Sequence, residues 1–169
     1  MKKLFVILVL LIPFALVNAQ ENKSRKERKA EKELQKKEKI KNLIDSQSFV
    51  FSASHALPMG GSSIALNHYF NAKIEGDSVY SYLPYYGVAY SAQYGQNKSP
   101  FNFDKPMEDY SVEKEKDGYL IKFDTKNGND YINYTIRVSE SGYASLNITS
   151  TNRQSISFTG IIEPVENDI

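Results

Sequence analysis

Apolar residues recur along this chain with three different periods, and each change of period marks a change of element. Leu4 to Val17 is a nearly unbroken apolar run of fourteen residues behind the basic start Met1-Lys2-Lys3. At 1.5 Å per residue a helix of that length spans roughly 21 Å, short of a ~30 Å hydrocarbon core. With the small residues of Val17-Asn18-Ala19 ahead of Gln20, the pattern predicts a cleaved secretory signal peptide over 1–19 rather than a membrane anchor.

From Glu21 to Asp45 there is no Gly or Pro, and Lys, Glu, Arg, Gln, Ala and Leu dominate. All lose little side-chain freedom in a helix, so 20–45 is expected to be a charged helical arm. Its apolar positions are sparse until Ile40, Leu43 and Ile44, which are expected to dock on the following domain. No heptad seam is sustained, which argues against a coiled coil.

Beyond Ser46 the period falls to two. Phe49, Phe51 and Ala53 alternate with Val50, Ser52 and Ser54, and Leu57-Pro58-Met59-Gly60-Gly61 closes that strand. Ile64, Leu66, His68, Phe70 and Ala72 read as one face of a second strand, with Glu75-Gly76-Asp77-Ser78 as a hairpin turn into Val79–Leu83. Tyr86, Val88, Tyr90, Ala92 and Tyr94 alternate with Gly87, Ala89, Ser91 and Gln93, which predicts another strand after Pro84, and Gly95 to Asp104 reads as a polar loop. Strands at about 108–115, 119–125, 131–139, 143–149 and 154–163 follow, separated by Asp117-Gly118, Asn127-Gly128, Ser141-Gly142 and Thr151-Asn152. The expectation for 46–169 is therefore a mainly β domain: an antiparallel meander of eight or nine strands forming a barrel or a two-sheet sandwich.

Charge and composition sharpen the compartment more than the activity. The net charge of +1 conceals a net +4 over 20–45 and −5 over 46–169. Beyond the leader, the net positive charge lies in the arm alone, where it is interleaved with glutamates, which argues against a nucleic-acid partner. The 169 residues contain no cysteine, so neither an acylated cysteine nor a disulfide exists. The expected product is an exported protein, periplasmic or extracellular, soluble, neither a lipoprotein nor an integral membrane protein once cleaved.

Two segments carry a resemblance. Leu83-Pro84-Tyr85-Tyr86-Gly87-Val88-Ala89-Tyr90 and Ser150-Thr151-Asn152-Arg153-Gln154-Ser155-Ile156-Ser157-Phe158-Thr159-Gly160, with Phe49 to Ala53 as a weaker third, make the chain over about 35–163 resemble the bacterial domain-of-unknown-function 4251 family. The resemblance implies export, a largely antiparallel β domain and no known catalytic site. It supplies no functional residues.

The candidate chemistry is thin. The two histidines, His55 and His68, sit in no nucleophile or zinc motif. Glu108 and Asp109 are adjacent, and in an extended strand they would point to opposite faces. Gly60-Gly61-Ser62-Ser63 lacks a phosphate-loop lysine. No catalytic residue, cofactor or metal is therefore assigned, and an enzyme is a distant third reading. Six of the twelve tyrosines fall between Tyr80 and Tyr94. Alternation alone accounts for that spacing in a barrel core, but tyrosine also combines a large apolar ring with a polar tip. The first functional reading is thus a non-enzymatic module that holds a small amphipathic ligand or a protein with Tyr80, Tyr82, Tyr85, Tyr86 and Tyr90. The alternative is a structural or envelope-interaction protein that uses the charged helix.

Overall fold

The computed structural model describes residues 24–67, 69–91 and 99–165. The expected signal peptide, His68, and Ala92 to Lys98 of the tyrosine-rich stretch and its loop lie outside the described residues.

Helix α1 spans Arg25–Asp45. It opens with a reciprocal cap: Glu27 N donates to Ser24 Oγ at 3.2 Å and Ser24 N donates to Glu27 Oε2 at 2.8 Å, which satisfies two amides that have no helical partner. Arg25 to Lys39 is exposed throughout. Chain contacts divide the protein between Glu33 and Leu34. In the second unit, Ile40 and Ile44 are buried and Leu43 is partly buried against the core, as the apolar spacing of the last turns predicts. Lys37 reaches Glu140 at 2.6 Å, and Lys114 meets the same carboxylate at 3.2 Å.

Among the described residues ten strands follow: β1 Ser48–Pro58, β2 Ile64–Ala65, β3 Asn71–Glu75, β4 Ser78–Leu83, β5 Phe101–Pro106, β6 Glu108–Glu115, β7 Gly118–Asn127, β8 Asp130–Ser139, β9 Tyr143–Ser150 and β10 Ile156–Glu163. All pairings are antiparallel, and nine strands run in the order β5-β4-β3-β1-β10-β9-β8-β7-β6, with the short β2 on the end of β1. The result, among the described residues, is a nearly closed, barrel-like sheet, mainly β with one helix at its N-terminal side.

Its two outer strands, β5 and β6, are separated by Met107 alone. They form one bent ribbon whose first half pairs with β4 and whose second half pairs with β7. At the seam, side chains take over from the backbone ladder: Thr125 Oγ1 donates to the Pro106 carbonyl at 2.9 Å and Asn127 Nδ2 to the Pro100 carbonyl at 3.4 Å.

The inside of the sheet is occupied. Phe49, Phe51, Phe101, Phe123, Tyr134 and Phe158 are each 1% exposed or less, and burial of such a ring contributes about 1.5–3 kcal/mol. Phe123 and Tyr134 stack at 4.8 Å. The Tyr134 hydroxyl donates to Ser81 Oγ at 3.1 Å, and burial pushes its phenol well above the ordinary tyrosine range. The close pairing of β1 with β10 depends on Gly160, where a Cβ would stand 1.9 Å from the Ser52 carbonyl oxygen.

Three sequence expectations change. The stretch after Pro84 is not a strand over its described part, Tyr85 to Ser91: it makes one isolated bridge, Ala89 to Arg153. Between Ile64 and Ala72 the chain forms two short strands rather than one, because β2 pairs with the far end of β1 and β3 with its beginning. Phe101 to Asp104, read as the end of a polar loop, belongs to strand β5, with Phe101 fully buried.

Candidate functional site

The two segments that carry the family resemblance are bonded to each other. The β7–β8 hairpin turns through Gly128, at φ 65°, and delivers Asp130 to the end of the barrel, where the carboxylate is buried. Asp130 Oδ1 accepts from Ser150 Oγ at 2.7 Å, Thr151 Oγ1 at 3.0 Å and Asn152 N at 3.3 Å, while Oδ2 pairs with the Arg153 guanidinium. This fixes the corner between β9 and β10. Tyr85 to Ser91 then crosses that corner as a strap. Tyr90 N donates to the Asn152 carbonyl at 2.7 Å, Gln154 N to the Val88 carbonyl at 3.0 Å, and Val88 N to Gln154 Oε1 at 3.2 Å.

Tyr85 is the strap's anchor. Its ring meets Phe101 edge-on at 5.4 Å, and its hydroxyl reaches the carbonyls of Val88 at 2.9 Å and Gln154 at 3.2 Å. Burial raises the phenol's pKa, a shift opposed by nearby Arg153. Gly87 leaves room for that hydroxyl, since a Cβ there would lie 2.6 Å from the Tyr85 oxygen. At Gly87 the space beside the strap is taken by the stretch's own Tyr85.

The five tyrosines singled out by sequence are distributed over two places. Tyr80 and Tyr82 share the outer face of β4, 38% and 47% exposed. Tyr82 stacks on Phe70 at 5.5 Å with 17° between the planes, and Lys73 Nζ lies 4.3 Å from the Tyr80 ring centre. Asn71 and Asn102 flank Tyr82 on the neighbouring strands. Tyr86 and Tyr90 are exposed on the strap, whereas Tyr85 is its internal anchor.

A groove that sequence reasoning missed lies on the outside of β6 to β9. It has a volume of about 500 Å³ and includes Glu108, Asp109, Asp124, Lys126, Tyr131, Asn133 and Thr149 in its walls. Both neighbouring carboxylates line it because the strand is not regular there: Asp109 has φ 53°, and the register with β7 shifts between Glu108 and Ser111. A bulge places on one side two residues that simple alternation would separate. The sequence signal is slight: aspartate is among the few residues that tolerate this conformation.

Within the groove Lys126 Nζ contacts both Glu108 oxygens, at 3.1 and 2.9 Å, and these contacts raise its pKa. Asn133 Nδ2 donates to Asp124 Oδ1 at 2.6 Å. His55, by contrast, is exposed, and its ring bonds the Ser54 hydroxyl at 3.2 Å. Among the described residues no helix is long and apolar enough to cross a membrane.

Comparison with known proteins agrees with this architecture. The family model described as "Domain of unknown function (DUF4251)" matches residues 31–162. The crystal structure of a DUF4251 family protein from Bacteroides eggerthii DSM 20697 superposes with a TM-score of 0.59 at 14% identity, covering 76% of this chain and 87% of that one. At that identity the likeness is one of fold. No curated protein matches the chain.

Proposed function

Since the chain belongs to the DUF4251 family, whose description assigns no function, we propose from its own geometry that it is an exported, non-catalytic module that holds a small amphipathic ligand on its outer aromatic face. The observation that carries this reading is Tyr82, 47% exposed while stacked on Phe70, with Tyr80 two residues away on the same face. Because rings fill the inside of the sheet, the reading is confined to the outer surface. The amides of Asn71 and Asn102 and the Lys73 ammonium supply polar groups beside the rings, the mixture that suits a ligand with one apolar and one polar side. Tyr86 and Tyr90 extend the exposed tyrosines onto the strap, and Tyr85 serves by anchoring it. The signal-peptide pattern of residues 1–19 supports export.

The test is titration with anilinonaphthalene sulfonate, an amphipathic dye. The folded chain is expected to enhance its emission, and the Tyr80→Ser/Tyr82→Ser variant to lose most of that enhancement without a fall in thermal midpoint. Unchanged emission in the variant would sink the reading.

A second reading rests on a separate observation, the uninterrupted exposure of Arg25 to Lys39. In that reading the charged helix engages a protein partner. Deleting residues 25–33 should then abolish recovery of the partner by crosslinking while leaving the thermal midpoint nearly unchanged.

A further inference from the structure

The groove on β6 to β9 is separate from the tyrosine face, and its walls combine four kinds of group in one concavity. Tyr131, 59% exposed, offers a ring face. Asp109 and Asp124 are acceptors, Asn133 and Lys126 are donors, and Thr149 is both. Its acidic residues do not form a cation site: among the described residues no three acidic, histidine or cysteine groups are placed to share a metal ion. Glu108 is already neutralised by Lys126, and Asp124 already accepts from Asn133. What remains is a held arrangement of alternating donors and acceptors beside an aromatic ring, not a bare acidic surface.

We propose that this groove binds a neutral oligosaccharide. Each sugar hydroxyl both donates and accepts, so it matches a wall where carboxylate and amide groups alternate. Each pyranose also has an apolar face of C–H groups that lies flat on an aromatic ring. Lys126 Nζ stands 5.2 Å from the Tyr131 ring centre and bonds Glu108, so the ring's surroundings are partly ordered before a ligand arrives. Fixed polar groups around a fixed ring reduce the ordering cost of binding. About 500 Å³ lies within the range of small-ligand sites and has room for one or two sugar rings. The irregular β6 backbone brings Asp109 to this wall, so the same bulge that bends the strand completes the site.

The test uses maltotetraose, cellotetraose, xylotetraose and tetra-N-acetylchitotetraose as probes, followed by shifts of the Asn133 side-chain amide and of the Tyr131 ring resonances. At least one probe should bind in the millimolar range or tighter, and Tyr131→Ala and Asp109→Asn should each weaken it by about tenfold or more. Asparagine tolerates the positive φ at 109, so the second variant removes charge without forcing the backbone. Thermal midpoints of both variants separate loss of binding from loss of fold, and Tyr82→Ser should leave affinity unchanged. Absence of shifts with all four probes overturns the assignment, as does binding that survives both groove variants. Binding lost on Tyr82→Ser but kept in Tyr131→Ala also overturns it and moves the sugar to the tyrosine face. The dye experiment isolates that face through the Tyr80→Ser/Tyr82→Ser variant, which leaves the groove untouched, so the two proposals fail separately.

Discussion

Asp130 and Arg153 form an ion pair whose side chains are only 5% and 14% exposed, at the corner that holds the strap. Truncating one member leaves the other charge buried without its partner. Asp130→Ala is therefore expected to destabilise the fold by about 3–5 kcal/mol, measured from urea unfolding midpoints. Hydrogen exchange should show the amides of Val88 and Tyr90 losing protection first, since their acceptors lie on Gln154 and Asn152. Ser150→Ala, which removes one of several donors to the same carboxylate, should cost only about 1 kcal/mol.

Gly87 and Tyr85 should behave as a coupled pair. Gly87→Ala places a methyl group 2.6 Å from the Tyr85 hydroxyl oxygen, and an overpacked contact of that kind costs about 1–3 kcal/mol. Tyr85→Phe removes the hydroxyl and the one hydrogen bond it shares between the Val88 and Gln154 carbonyls. In that background the further cost of Gly87→Ala should shrink, and a double-mutant cycle measures the coupling directly.

Tyr110 packs on Phe123 at 6.3 Å, and its buried hydroxyl has no hydrogen-bond partner among the described residues. Burial, with Asp45 nearby, pushes its pKa up to about 12. Because the folded value is raised, this phenol's contribution is fully present below the unfolded pKa of about 10 and is lost as pH rises from there toward the folded value. Tyr110→Phe should stabilise the protein by about 1 kcal/mol at neutral pH. It should also flatten the fall of thermal midpoint between pH 10 and about 12.

Gln47 joins helix α1 to β1 at φ 48°, held there by its N–H to the Ile44 carbonyl at 3.1 Å and its own carbonyl accepting from Gly76 N at 3.0 Å. A side chain in this conformation costs about 1 kcal/mol that glycine does not incur. Gln47→Gly is expected to raise the thermal midpoint, and Gln47→Val, with a branched Cβ, to lower it.

The regular half of the barrel was legible in the sequence and the closing half was not, for a local reason. From Ser111 onward, alternation and the Asp117-Gly118, Asn127-Gly128 and Ser141-Gly142 turns agree with the paired strands, because each hairpin is specified by residues close to it. Phe101 to Pro106 carries no such signal. It is a strand because β4 offers it an edge, and its Phe101 fills the interior. Likewise the alternation of Tyr86, Val88 and Tyr90 has the period of a strand, but Asn152 and Gln154 take its backbone groups across the corner, a long-range contact that no local pattern reports. Asp109 shows the same limit at the groove: the rule that neighbours face opposite ways fails at one backbone angle. The two family-like segments were visible as separate motifs, and only the fold shows that they are halves of one clasp.

The pairing of β1 with β10 imposes an order on how the chain can complete itself. β1 has one edge against β3 and the short β2 but owes its other edge to Ile156–Glu163, the last of the described strands. During synthesis that edge is an open template, and an unpaired strand edge recruits other chains. Loss of the final strand would therefore do more than remove one-tenth of the sheet: it would leave β1, from the middle of the strand order, with a bare edge, so the expected fate of a chain stopped before Ile156 is self-association.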